Sequence, residues 1–161
     1  MIMINIYKRK DKMLKQKRND AYSLKAKISE PSYCEHCKSV FINGRWTWKA
    51  VQGGEQKTIC PACRRIADHY PAGIIELKGS FFFDNQNEIL NLIHNVSNQE
   101  KKERALERIM QTRQEADRTI VTTTGVHIAR RIGEALSRSY KGKYTFQYAD
   151  GDKQIRVYWQ R

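Results

Sequence analysis

Two C-x2-C pairs, Cys34-Glu-His-Cys37 and Cys60-Pro-Ala-Cys63, hold all four cysteines of the chain and are separated by 22 residues. Each pair sets two thiolates on one tight knuckle, where both sulfurs reach the same ion. Two knuckles complete a tetrahedral tetrathiolate site with Zn–S distances of about 2.3 Å. No cysteine is left over, and the cytoplasmic setting argued below disfavours disulfides. The expectation is one structural Zn2+ ligated by Cys34, Cys37, Cys60 and Cys63, with an iron–sulfur centre or a redox dithiol as the alternatives. Four thiolates close the coordination sphere, so catalysis at the metal is not expected. They leave a local charge of about −2 around a divalent ion, and Lys38, Arg64 and Arg65 stand close enough in sequence to offset it. His36 and His69 flank the knuckles and are expected on the surface.

Between the knuckles, Val40 to Val51 reads as strand, Gly53-Gly54 as the turn, and Gln56 to Ile59 as the return. That is the hairpin of a zinc ribbon. Strand alternation puts Trp46 and Trp48 on one face and Arg45, Thr47 and Lys49 on the other. The tryptophans are expected to dock the ribbon on the rest of the chain, stacking on bases being the alternative. Arg45 and Lys49 are expected to face solvent or phosphate.

After Cys63, Arg64 to Tyr70 predicts a short helix ended by Pro71, and Gly73 to Gly79 a strand. Ile89, Leu92, Ile93 and Val96, then Leu106, Ile109 and Met110, recur at helical spacing and predict helix from Asn87 to about Gln114. Ser97 with Glu100 has the form of a capping box and would divide it in two. His94, among those apolar residues, reads as a core or boundary histidine. Thr119 to Thr124 is a β-branched strand, Val126 to Tyr140 a helix, and Tyr144–Ala149 and Lys153–Gln160 a hairpin around Asp150-Gly151. Pairing Ala149 with Asp152 would set Phe146 opposite Ile155 and Tyr144 opposite Val157, with the apolar side chains on one face.

The predicted architecture is α+β. A basic, disordered arm (1–30) precedes a zinc ribbon (31–72) and a unit (73–161) with helices packed on one face of a four-stranded sheet, in the order strand-helix-strand-helix-strand-strand. Three places offer cations on ordered backbone: Arg45 and Lys49 on the ribbon; Arg130, Arg131 and Arg138 on the second helix; and Lys143, Arg156 and Tyr158 on the outer face of the last hairpin. The helix ranks first, since guanidinium suits bidentate phosphate contact.

Charge agrees with a polyanionic partner. Lys and Arg number 30 against 17 Asp and Glu, for a net charge of +13, and residues 1–30 carry 9 basic and 3 acidic side chains of these. The arm lacks an apolar face, which favours nucleic acid over a membrane surface. No apolar run approaches the roughly 20 residues of a membrane-spanning helix, and the start lacks a signal-peptide core. The chain is therefore expected in the cytoplasm.

Taken together, several strings resemble a small bacterial family of uncharacterised zinc-ribbon proteins. They are Gly44-Arg-Trp46, Cys60-Pro-Ala-Cys-Arg-Arg-Ile66 with Pro71-Ala-Gly73, Glu88-Ile-Leu-Asn-Leu-Ile93, Leu106-Glu-Arg-Ile-Met110, Val121-Thr-Thr-Thr124 and His127-Ile-Ala-Arg-Arg-Ile-Gly-Glu-Ala-Leu136. More distantly, the strand–helix element at 119–141, with the C-x2-C knuckles, resembles the zinc-binding export adaptor of the large ribosomal subunit. That family carries more C-x2-C pairs and is longer, so nuclear export does not carry over. Ribosome or ribosomal-RNA association is what the resemblance implies.

The expected function is RNA binding on the ribosome, in assembly, quality control or subunit protection. A DNA-binding transcriptional regulator is the alternative, though neither a helix-turn-helix nor a heptad segment supports it. An enzyme is not expected. P-loop, G-x-G-x-x-G and H-E-x-x-H motifs are absent, no nucleophile–base pair stands out, and no small-molecule substrate suggests itself.

Overall fold

Asn43 and Gly44 both take positive φ, 53° and 74°, the conformation that closes a two-residue hairpin. The hairpin of the ribbon therefore turns here, inside the stretch that strand periodicity runs together from Val40 to Val51. The turn is braced from outside, since both backbone N–H groups donate to the Glu30 carboxylate, each at 3.0 Å. The computed structural model describes residues 22, 28–49, 56–149, 151 and 153–161. The Gly53-Gly54 turn and most of the basic arm lie outside these residues.

The ribbon comprises β1 (Ser32–Cys34), β2 (Val40–Ile42), β3 (Arg45–Thr47) and β4 (Gln56–Thr58), followed by helix α1 (Pro61–Asp68). Its strand order is β3-β2-β1-β4, with β1 and β4 parallel. The parallel pair sets Cys34 against Thr58, two residues before the second knuckle. Strands of three residues have little core of their own, and sulfur fills the gap: Cys34, Cys60 and Ala62 are buried together, with Trp46 and Leu106 packed on them.

The larger unit runs β5 (Gly73–Lys78), α2 (Ser80–Asp84), α3 (Gln86–Glu103), β6 (Ile109–Gln114), β7 (Thr119–Thr123), α4 (Val126–Tyr140), β8 (Lys143–Tyr148) and β9 (Ile155–Gln160). These form one five-stranded sheet in the order β6-β7-β5-β9-β8, with β5 and β9 parallel and the other neighbours antiparallel. The fold is mixed α+β, but the sheet has five strands rather than four. The added strand is β6, where helical periodicity predicts a continuation of α3. That helix stops at Glu103, and Arg104 is extended at φ −132°, ψ 102°. The spacing of Leu106, Ile109 and Met110 suits helix or strand; the unpaired edge of β7 decides, because its backbone donors and acceptors need partners. Upstream, Ser97 and Glu100 make no capping box. Both are buried within the unbroken helix α3, while His94 is exposed rather than in the core.

Alternation along β5 and β9 buries Ile75, Leu77, Ile155, Val157 and Trp159 on one face of the sheet. Ile128, Ile132 and Leu136 of α4 and Ile89 and Ile93 of α3 complete that core. The β8–β9 hairpin pairs Phe146 with Val157 and Tyr144 with Trp159, two residues away from the expected register. A shift of two leaves every side chain on its face, so the facing was legible although the register was not. The shift seats Trp159 in the core, where its indole N–H donates to the Lys141 carbonyl at 2.7 Å.

Helix α4 approaches the sheet through Gly133. A Cβ there would lie 2.4 Å from the Tyr144 ring and 2.9 Å from Val157. Gly133→Ala is therefore expected to strain the packing by about 1–3 kcal/mol. At about 2–4 °C per kcal/mol for a chain of this size, thermal melting should fall by about 2–12 °C. An unchanged melting temperature would show that the helix can move outward freely.

Candidate metal centre and nucleic-acid surfaces

The first knuckle forms where β1 ends. Cys34 N donates to Ser39 O at 2.8 Å, Lys38 N donates to Cys34 O at 3.0 Å, and Lys38 adopts φ 67° to complete the turn. The second forms at the start of α1, where Cys60 is the N-cap and Pro61 follows it. Cys63 N donates to Cys60 Sγ at 3.4 Å, and Cys60 N donates across to Cys34 Sγ at 3.3 Å. Backbone N–H groups thus orient the sulfurs of both knuckles.

All four sulfurs lie within 4.8 Å of one another, and Cys37 Sγ is 3.7 Å from Cys60 Sγ. Four metal–sulfur bonds of about 2.3 Å in tetrahedral array require S···S edges of about 3.8 Å. The donor set therefore fits a metal ion bound by four thiolates. The site is closed: Cys34 and Cys60 are fully buried and the other two half-buried.

Its positive charge comes from a place the sequence does not flag. Arg108 is buried, and its guanidinium donates to Cys37 Sγ at 3.1 Å, Cys63 Sγ at 3.4 Å and Cys60 Sγ at 3.5 Å. The side chain is held in turn by Nε donating to Ala105 O, and its backbone N–H by Thr124 Oγ1, each at 2.8 Å. Trp48 lies over the guanidinium at 5.5 Å and donates its indole N–H to Lys101 O at 2.6 Å. Trp48 therefore docks the ribbon on the larger unit, as expected of that face. The cations expected to offset the thiolates are used elsewhere: Lys38 Nζ donates to Glu35 O and Arg65 to Tyr70 O, while Arg64 is exposed. The only trace of Arg108's role in the sequence is its place among the apolar residues Ala105, Leu106, Ile109 and Met110.

The ligands differ in acidity. Burial pushes the Cys37 thiol up, but hydrogen bonding from Ser39 and the Arg108 charge outweigh it and bring it down to about 6. At Cys60 and Cys63 burial prevails and holds the thiols above their ordinary value. A cation or a metal is what makes four thiolates tolerable in one small volume.

Comparison with known protein families, curated proteins and solved structures found no match. The family resemblance accordingly rests on the sequence strings alone, and function must be argued from this chain's own surfaces.

The cationic residues singled out by sequence do not form one surface. Arg45 and Lys49 are exposed on the ribbon. Arg45 borders a cleft of about 490 Å³ shared with Trp46, Arg104 and Glu107. The α4 stripe is partly spent on internal contacts. Arg131 Nε donates at 2.9 Å to Glu100, whose side chain is only 4 % exposed and also pairs with Arg104 at 3.1 Å and His127 at 3.3 Å. Arg130 lies over Phe146 at 4.8 Å and bonds Tyr148 Oη at 3.3 Å. Of the three, only Arg138 has no polar partner among the described residues. Lys143, Arg156 and Tyr158 lie on the sheet face turned away from α3 and α4, part of which is bordered by the end of α1.

That face is ordered in rows by the strand register. Lys143, Gln160 and Lys78 form one row, Thr145, Tyr158, Glu76, Ile120 and Arg113 the next, and Gln147, Arg156, Ile74, Thr122 and Gln111 the third. Arg113, on the strand that sequence assigned to a helix, thereby joins the expected residues. Glu76 pairs with Arg118 at 2.9 Å and Arg113 with Glu115 at 2.9 Å, which leaves Lys78, Lys143 and Arg156 as the cations of this face whose side chains have no polar partner among the described residues.

Proposed function

We propose that this chain is a zinc-ribbon RNA-binding protein that associates with the ribosome, the zinc being one structural ion held by Cys34, Cys37, Cys60 and Cys63. Zinc suits the donor set because it favours tetrahedral four-sulfur coordination and has no redox chemistry to disturb a structural site. The observation that carries the RNA reading is the sheet face turned away from α3 and α4, with Lys78, Lys143, Arg113 and Arg156 spread around Tyr158 in adjacent rows. A strand lays alternate side chains about 6.6 Å apart and neighbouring strands lie about 4.8 Å apart, so these groups form a rigid two-dimensional array rather than a flexible tail. Rigid cations around an aromatic ring suit nucleotides, phosphates engaging the former and bases the latter. The net charge of +13 supports the same partner class, and the resemblance of the strand–helix element at 119–141, with the C-x2-C knuckles, to the ribosomal adaptor family supports the ribosome as the place. The α4 stripe, ranked first from sequence, is the weaker candidate, because Arg131 and Arg130 already have partners.

The test is co-sedimentation of the tagged protein with ribosomal particles at low salt, alongside binding to promoter-length DNA. Lys143→Glu with Arg156→Glu should remove binding to ribosomal RNA. Each lost phosphate contact should reduce the magnitude of the slope of log affinity against log salt by about 0.7–0.9, so Lys143→Gln with Arg156→Gln should flatten it by about 1.4–1.8. If the charge-reversed protein sediments like wild type, the sheet face is only a solvated surface. Tighter binding to DNA than to RNA would move the protein to the transcriptional class.

A further inference from the structure

On the β5–β7–β6 side of this sheet face lies a groove of about 530 Å³, formed where the end of α1 and Pro71 stand over the strands. That volume falls within the roughly 300–1,000 Å³ of sites that enclose small organic ligands. Ile74, Ile120 and Met110, with Ile66 and Pro71, supply an apolar lining, and Ile66 is an exposed large hydrophobic at 40 %. Charge is confined to particular places. Arg156 is on β9 and Arg113 on β6, separated by β5 and β7. At about 4.8 Å per strand their backbones stand about 14 Å apart across the sheet, on opposite sides of the apolar lining.

The ionic groups along the β6 side are locked. Glu115 accepts from Arg113 at 2.9 Å and from Arg118 at 2.8 Å, and Arg118 also pairs with Glu76 at 2.9 Å. Arg118 is thus a strut between two carboxylates. Arg113 is 61 % exposed and uses only Nη2 in its ion pair, while Arg156 has no polar partner among the described residues. A site for a bare phosphate would not place a carboxylate and an isoleucine lining between its cations. A site for an apolar peptide would not need guanidiniums at both sides. A flat, largely apolar ring flanked by two anions satisfies the whole pattern.

We infer that this groove receives one unstacked nucleobase of single-stranded RNA, its ring on Ile74 and its flanking phosphates on Arg156 and Arg113. The inference rests on the RNA reading above and adds to it the element that selects single strands. Bases paired in a duplex are stacked and cannot enter, and a duplex is met only through its backbone. Glu76 and Glu115 provide acceptors for exocyclic amino groups, which favours cytosine or adenine over uracil.

Fluorescence anisotropy of the full chain with labelled eight-nucleotide oligo(C), oligo(A), oligo(U) and an eight-base-pair RNA duplex tests this. Wild type is expected to bind oligo(C) or oligo(A) at least tenfold more tightly than the duplex. Ile74→Lys adds a positive charge to the groove while removing its apolar lining. It should erase that preference although simple electrostatics would strengthen binding. Arg156→Ala, on an exposed side chain, should weaken single-strand binding several-fold more than duplex binding; it decides the matter should Ile74→Lys lose its metal or its circular dichroism. Equal binding of single strand and duplex by wild type, or a preference retained in Arg156→Ala and in a folded Ile74→Lys, overturns the groove and leaves the RNA reading standing. Absence of binding to any of the RNAs overturns both.

Discussion

Cys60→Ser is expected to release the metal and to unfold residues 31–70, while residues 73–161 keep their structure. Cys60 is fully buried, caps α1 and receives two of the contacts that hold the sulfur cluster together. The ribbon has nothing to replace it: its strands are three residues long and its buried apolar cluster is small. Structural zinc in peptides of this kind contributes roughly 10–16 kcal/mol of apparent binding energy at neutral pH, far more than such a cluster can supply. The larger unit has its own core around Ile75, Leu77, Val121, Ile132 and Trp159. Unfolding of the ribbon also returns Arg108 to water, so no buried cation is stranded. Elemental analysis should read one zinc per wild-type chain and none in the variant. Limited proteolysis should cut the ribbon and spare a fragment beginning near Gly73. Wild-type protein without stoichiometric metal, purified free of chelator, would remove the basis for the site.

Arg108→Glu is expected to be nearly as damaging, though Arg108 is no ligand. It would exchange three hydrogen bonds to sulfur for a carboxylate pressed against thiolates. Removing one partner from a buried charge cluster costs about 3–5 kcal/mol. The neutral Arg108→Met should therefore melt about 6–20 °C below wild type, at about 2–4 °C per kcal/mol, and surrender zinc to a competing chelator at least tenfold faster. The glutamate variant should fail to retain the metal at all. Because Arg108 joins the two units, tryptophan fluorescence should change as well, Trp48 losing the guanidinium beneath it and its bond to Lys101 O. Full zinc retention in Arg108→Glu would show that the thiolates need no counter-charge from the larger unit.

These two variants divide what is local from what is not. The cluster of four thiols was legible in the sequence because it is carried by short-range spacing: two residues between thiols make a knuckle whatever the rest of the chain does. The same holds for β5 and α4, whose apolar alternation or helical stripe continues to the end of each element, for β7 with its unbroken β-branched residues, and for the facing of β8 and β9. The hairpin turn at Asn43-Gly44 was also present in the sequence, in the dipeptide that most favours such turns, but was masked by strand-like residues on both sides. The fate of Ile109–Gln114 was not present. Its apolar spacing satisfies two periods, and only the open edge of β7 chooses strand, a partner that exists once the sheet has formed.

Charge partners belong to the same class. Arg131 and Arg138 look alike along the helix, yet Arg131 is held by the buried Glu100 of a neighbouring helix and Arg138 is left to solvent. Arg108 reaches Cys63 across 45 positions of sequence. The sequence by itself determined which thiols come together at metal-binding distance and which faces turn inward, because thiol spacing and side-chain periodicity act over a few residues. Only the tertiary structure decided the fifth strand, the cation that answers the thiolates and the basic surface left free, because each depends on groups that meet across the fold, where desolvation leaves a buried charge or an unpaired strand edge no alternative to the partner it finds.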